Sequence, residues 1–140
     1  MSDVRTPEIT AANNALAEEH AAIYDYSVLG VHLSGAALDR ARAAYNAHRE
    51  RRDMLSDLIA DRGGAPVRAY AAYALLRDVA SPKQARAALA SVEGGIAEAY
   101  AALVEASSGS LRTTASAALT SAALSAVAWG AAPTAFPGLR

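Results

Sequence analysis

The stretch "GGAPVRAYAAYALLRDVA", residues 63–80, decides which fold this chain can adopt. It is too long for a turn between neighbouring helices of a simple bundle. Extended, roughly 18 residues reach about 59 Å, whereas a helix of ~25 residues is only about 38 Å long. The segment can therefore cross a whole bundle, with a helical turn or two expected in "VRAYAAYALL". An up-down bundle with a floppy loop is the alternative. Tyr70, Tyr73, Leu75 and Leu76 weigh against it, because a floppy loop would leave them in water.

Two helices are predicted on each side of this segment. The first, over about 7–34, opens at Thr6-Pro7-Glu8, with Thr as N-cap, Pro at the first helical position and an acid in the first turn. Its stripe is Leu16, Glu19 or His20, Ile23, Tyr26, Gly30 and Leu33, spaced three and four apart. The second, over about 36–62, carries Leu38, Ala41, Tyr45, His48, Arg52, Leu55 and Ile59 and stops at Gly63-Gly64. The third, over 82–106, starts at Ser81-Pro82-Lys83-Gln84, an N-cap followed by Pro and a Gln able to close a capping box. Leu89, Glu93, Ile96, Tyr100 and Leu103 form its stripe. "SSGS" (107–110) then turns the chain into a fourth helix over about 110–130. The expected fold is all-α: one domain over 1–140, two antiparallel hairpins joined by a long crossover over 63–80. That is the ferritin-like four-helix topology.

Composition narrows the function. Thirteen basic residues against 14 acidic ones give a net charge of −1, so neither nucleic acid nor an anionic membrane is an expected partner. With no cysteine, the chain has no disulfide, thiolate zinc site or Cys nucleophile, and two methionines argue against a thioether copper store. The start "MSDVRTPEIT" lacks the apolar core of a signal peptide, so a cytoplasmic protein is expected. The fourth helix has no charge between Arg112 and Arg140, yet its Ala, Ser and Thr content suits a buried or subunit-contact helix better than a membrane span. No Gly-rich phosphate loop or Ser-His-Asp spacing stands out.

An internal echo locates the candidate site. "EHAAIYDY" (19–26) and "EGGIAEAY" (93–100) each begin with Glu and reach Tyr seven positions on, two turns along one helix face. A pseudo-two-fold that carries Glu19 to Glu93 carries His48 to Ala122 and Tyr45 to Leu119. A ferritin-like dimetal site takes one Glu from each of two helices and Glu-x-x-His from each of the others. "YNAH" (45–48) then reads as a decayed Glu-x-x-His: Glu19, His48 and Glu93 fill ligand positions, whereas Tyr45, Leu119 and Ala122 do not.

"LAEEHAAIYDYSVLG", "AYNAHRERRDML", "EAYAAL" and the closing "AW…FPGL" resemble the actinobacterial ferritin-like domain family of uncharacterised function, over essentially the whole chain. The resemblance implies a cytoplasmic, self-associating four-helix bundle and brings no catalytic residues with it.

Three functions are compatible with these residues. The preferred one is a non-catalytic bundle with a degenerate metal site, acting as a structural or protein-interaction module, with no cofactor, a homodimeric state and an unknown protein partner. The dimer is expected through the first two helices, with the fourth as rival surface. The second is a mononuclear iron, manganese or zinc oxidase-like enzyme on Glu19, His48 and Glu93. The third is a binder of a small apolar molecule in the vacated site. Facing carboxylates need a counter-charge, and Arg52, one turn beyond His48, is expected to supply it, with Arg51 as competitor. The expected polar network is Glu19, His48, Arg52, Glu93, Tyr26 and Tyr100, with Tyr45 completing its hydrogen bonds. His20 and His32 are expected near the surface, and "HRERRD" (48–53) as a solvated face.

Overall fold

Ser81 makes the clearest helix start in the chain. Its side chain accepts from the Gln84 amide at 3.1 Å, and the Gln84 side chain reaches back to the Ala80 amide at 2.8 Å. The Gln thus closes the box one residue earlier than the usual partner, still satisfying a backbone donor. Four α-helices follow from such punctuation: α1 (Arg5–Leu29), α2 (Gly35–Asp61), α3 (Pro82–Ala106) and α4 (Gly109–Ala128). The computed structural model describes residues 5–75 and 78–139.

Several boundaries differ from expectation. The first helix is already under way at Arg5, so Thr6 lies inside it and does not cap it. Pro7 sits in the first turn, where its missing N–H costs nothing. At the other end α1 tightens into a 3-10 turn over Gly30–His32. α2 stops where Gly63 takes φ +81° and Gly64 N–H bonds back to the Ile59 carbonyl at 2.9 Å, the left-handed cap that glycine allows. α4 ends at Ala128 with the same pattern around Gly130.

α1 packs on α2 and α3, and α3 packs on α4. Arg62, just after α2, pairs with Glu8 at the start of α1, and the Arg112 side chain in α4 bonds the Val104 carbonyl near the end of α3 at 3.1 Å. Both hairpins are therefore antiparallel. α1 and α3 are also antiparallel, as their side-chain pairing below establishes, so α2 and α3 point the same way and the segment between them must travel the length of the bundle. It does so along α1. Asn13 brackets it with bonds to the Ala65 carbonyl and the Val67 amide, His20 Nε2 lies 3.0 Å from the Val67 carbonyl, and the Tyr73 ring packs 5.6 Å from that of Tyr24.

The helical turns expected in "VRAYAAYALL" are not formed among the described residues, and Leu76 lies outside them. Reach alone rules out only a fully helical crossover: roughly 20 residues wound as helix would cover about 30 Å, short of the ~38 Å that a 25-residue helix spans, whereas one or two turns would leave enough length. Tyr73 and Leu75 are half-buried, but Tyr70 is 76% exposed, so the crossover shields only part of its apolar content.

The core is built in two apolar clusters. One gathers Leu16, Leu55, Ile59, Ile96, Leu103 and Leu111 with buried alanines, among them Ala115 and Ala122. The other gathers Leu29, Leu33, Ala41, Ala85, Leu89 and Trp129. Alanine at so many contacts lets backbones approach closely, which explains a core without phenylalanine; Phe136, the chain's one Phe, is 73% exposed in the tail. That tail folds back on α3. A Cβ on Gly138 would stand 2.5 Å from the Ala97 carbonyl oxygen, so only glycine fits there. α4 buries one face, through Leu111, Ala115, Ala118 and Ala122, and leaves Leu124 and Val127 exposed.

Candidate functional site: a buried carboxylate-imidazole layer

Between the two apolar clusters lies a polar layer. Glu19 and Tyr26 occupy one face of α1, Glu93 and Tyr100 the facing side of α3. The Tyr100 hydroxyl donates to Glu19 Oε1 at 2.7 Å, and the Tyr26 hydroxyl donates to Glu93 Oε1 at 2.6 Å. Each glutamate is held by the other helix's tyrosine. The early residue of one helix meets the late residue of the other, so the pair is antiparallel and the repeated Glu-to-Tyr spacing becomes a local two-fold.

His48 enters from α2 and joins the two carboxylates. Its Nδ1 is 2.6 Å from Glu19 Oε2, and its Nε2 is 2.9 Å from Glu93 Oε1. All three residues are buried. A carboxylate at each ring nitrogen calls for a proton on both, which is the imidazolium form. Burial alone disfavours that charge, but the hydrogen bonds to Glu19 and Glu93 and their negative charges outweigh it and raise the His48 pKa to about 9. Both phenols move upward as well. Burial is the main cause, and the adjacent glutamate the second, so both stay protonated at neutral pH.

The groups around the two glutamates are unequal. Arg51 Nε stands 3.5 Å from Glu19 Oε1, an ionic contact without hydrogen-bond geometry, since that nitrogen has no hydrogen-bond partner. On the other side the Trp129 indole donates to the Tyr26 hydroxyl at 2.8 Å, and Arg40 covers the indole with its guanidinium 5.5 Å from the ring centre. Ser125 also acts on the Tyr26 phenol. Glu93 Oε2 is buried and accepts nothing.

The layer thus brings together Glu19, His48, Glu93, Tyr26 and Tyr100. It does not include Arg52, whose Nε donates to Asp53 Oδ1 at 2.9 Å, an exposed local pair. Helix geometry sets the two arginines apart. Measured from His48 at about 100° per residue, position 51 falls about 60° to one side and position 52 about 40° to the other. Arg51's side faces Glu19; Arg52's side faces His20, Tyr24 and Tyr73 beneath the crossover. Tyr45 is also outside the layer's hydrogen bonds. It is half-buried, with the Arg49 guanidinium 5.5 Å from its ring centre. Leu119 is half-buried and packs on the apolar core, and Ala122 is wholly buried in it. His20 and His32 are half-buried. Trp129 has a signal that was readable, being the chain's one Trp and a donor that needs a partner when buried.

A metal pair of the ferritin-like kind does not fit these residues. Both nitrogens of His48 point at carboxylates, positions 45, 119 and 122 offer no carboxylate or imidazole, and no group of three His, Asp or Glu among the described residues is arranged to hold an ion.

Taken together, the chain is an all-α four-helix bundle with a buried acid-imidazole layer. It belongs to the family described as a domain of unknown function (DUF4439), whose model matches residues 11–140. It is similar to a conserved hypothetical protein, Rv2844, from Mycobacterium tuberculosis, whose crystal structure is 33% identical with a TM-score of 0.86, covering 89% of this chain and 95% of that one. Among curated proteins none matches.

Proposed function

We propose that the protein is a non-catalytic, ferritin-like bundle in which a protonated histidine occupies the role of a bridging metal, and that it works as a structural or protein-interaction module. One observation carries this reading: both nitrogens of His48 are engaged by carboxylates, at 2.6 and 2.9 Å, leaving no lone pair for a metal. The imidazolium and Arg51 together balance Glu19 and Glu93. A single bound ion on Glu19, His48 and Glu93 is the second reading, favoured by the bare, buried Oε2 of Glu93. Metal analysis of protein purified without chelator, with nitrogen NMR of His48, tests the choice. A sub-stoichiometric metal content and two protonated ring nitrogens at neutral pH are expected; one metal per chain with a deprotonated nitrogen overturns the proposal.

We further propose a cytoplasmic homodimer. Leu124, Val127 and Leu139, 68%, 41% and 68% exposed, line a cleft of about 350 Å³ between α3, α4 and the tail. Exposed apolar groups grouped in this way favour α4 over the first hairpin as the contact surface. Sedimentation should give twice the chain mass; a clean monomer near 14.4 kDa at micromolar concentration sinks this assembly.

A further inference from the structure

The closing "FPGL" (136–139) forms a tight turn whose apolar ends stand in water. The Leu139 amide donates to the Phe136 carbonyl at 3.2 Å, with Pro137 and Gly138 between them. Gly138 takes φ +80°, the left-handed value that the third position of a type II turn requires, and Pro suits the second. The turn is anchored. Pro137 and Gly138 are half-buried, and Gly138 seats against Ala97 and Ala101 of α3. A turn of this type holds its first and last residues within about 7 Å of each other. Phe136 and Leu139 are therefore held close together, yet they are 73% and 68% exposed. A fixed backbone that presents two large apolar side chains to water is preorganised for a partner, because little freedom is left to lose on binding.

The partner that fits is a second copy. The turn borders the cleft between α3, α4 and the tail: Pro137, Gly138 and Leu139 line it, and Phe136 does not. The cleft's other walls are small or apolar, with Gly94, Ala97 and Ala123 beside Leu124 and Val127. A dry cavity of about 150 Å³ accepts a benzene ring, so about 350 Å³ has room for a phenyl group. Glu98 is the one charged residue on the lining, so the cleft suits an apolar group and does not select by charge. Knob and cleft lie side by side on one face, and a two-fold axis between them sets each copy's Phe136 against the other's cleft. Leu124, Val127, Phe136 and Leu139 together expose on the order of 400 Å² of apolar side chain. Two such faces give about 800 Å², a sufficient apolar core for an interface of the ~1,200 Å² at which stable association begins.

We infer that the "FPGL" turn is the dimerisation element, with Phe136 of each copy inserted into the cleft of the other. This rests on the homodimer described above and names the contact that makes it. Sedimentation of the full chain and of Phe136→Ala across a concentration series tests it. The parent should dimerise, and Phe136→Ala should raise the dissociation constant by about 100-fold or more, since the contact is made twice. The Phe136 ring is mostly in water in its own chain, so the variant's circular dichroism and its urea midpoint at dilute, monomeric concentration should match the parent's. Ala123→Met fills the cleft with the turn untouched and should weaken the dimer comparably. Val31→Ala, at an 80% exposed residue just after α1, should leave it unchanged. A monomeric parent removes the homodimer and this inference with it. A dimer that Phe136→Ala or Ala123→Met weakens less than about tenfold, or that Val31→Ala weakens as much, overturns the insertion alone and leaves the homodimer standing.

Discussion

The two hairpins occupy equivalent places about the local two-fold, yet they bring different chemistry to it. α2 contributes His48 and Arg51 to the polar layer; the equivalent positions of α4 are Ala122 and Ser125. Glu19 accordingly has both oxygens engaged, by His48 on one and Tyr100 with Arg51 on the other. Glu93 receives His48 and Tyr26 on Oε1 alone, and its Oε2 is buried without a partner. The backbone symmetry puts two carboxylates together, and only one hairpin supplies the cations that make this tolerable.

The largest effect should come from taking that cation away. His48→Ala leaves two buried carboxylates without their shared donor, at a cost of about 3–5 kcal/mol, read as a lower urea midpoint. The pH dependence identifies the charge as the cause. A folded pKa of about 9 against 6.5 in the unfolded chain corresponds to about 3 kcal/mol. That stability is fully present below pH 6.5 and is lost as pH rises through about 9. His48→Gln should remove the decline over that window. A decline that persists in the Gln variant assigns it to another group.

How far the sequence reveals this layer depends on which link is asked of it. Helix existence is legible because Ser81-Pro82 and Gly63-Gly64 punctuate the chain, and every member of the α3 stripe from Leu89 to Leu103 is buried. The crossing of residues 63–80 is legible from reach alone. Its conformation is not, since "VRAYAAYALL" has good local helix propensity and its described residues nonetheless form no helix. The Glu-to-Tyr echo is also visible. That each tyrosine serves the opposite glutamate follows from antiparallel packing, which no single helix encodes. Arg51 and Arg52 flank the same seam, and only the placement of α1 and the crossover decides which one turns inward.

Next in size is the comparison of the two tyrosines. Tyr26→Phe removes a donor from Glu93, which already has a bare oxygen, and strips the Trp129 indole of its acceptor. Tyr100→Phe leaves Glu19 with His48 and Arg51. Each lost buried hydrogen bond costs about 1–3 kcal/mol, and Tyr26→Phe should lie at the upper end. Thermal unfolding of the two variants side by side checks the order. A larger loss for Tyr100→Phe would mean that Glu19, not Glu93, is the weaker side.

Smaller again is the contrast between neighbouring arginines. Arg51 is mostly buried beside Glu19 but lacks a hydrogen bond there, so Arg51→Ala should cost about 1–2 kcal/mol. Arg52 makes an exposed pair with Asp53, and Arg52→Ala should stay within about 0.5 kcal/mol. Equal urea midpoints for the two variants would remove Arg51 from the layer.

The sharpest test of the asymmetry, with a small net change in stability, is Glu93→Gln. The substitution keeps an acceptor for Tyr26 and the His48 ring, and it removes a buried charge by changing only the Oε2 that bonds nothing, so no existing hydrogen bond is broken. It also withdraws one of the two negative charges that hold the imidazolium, so gain and loss oppose each other. At neutral pH the net change should be within about 1 kcal/mol. The His48 pKa should fall from about 9 toward its ordinary 6.5, which moves the loss of stability to lower pH and shrinks its size. Glu19→Gln is different in kind. It removes the same support from His48, strands Arg51, and sets an amide NH2 against a donor, because both oxygens of Glu19 already accept. It should therefore cost more, by about 1–2 kcal/mol. Proton NMR of the His48 ring follows the pKa, and urea unfolding at two pH values follows the energy. If both variants lower the pKa but only Glu19→Gln lowers stability markedly, the second cation on the α1–α2 side carries the difference between the hairpins. Equal costs would show that the bare oxygen of Glu93 has no energetic weight.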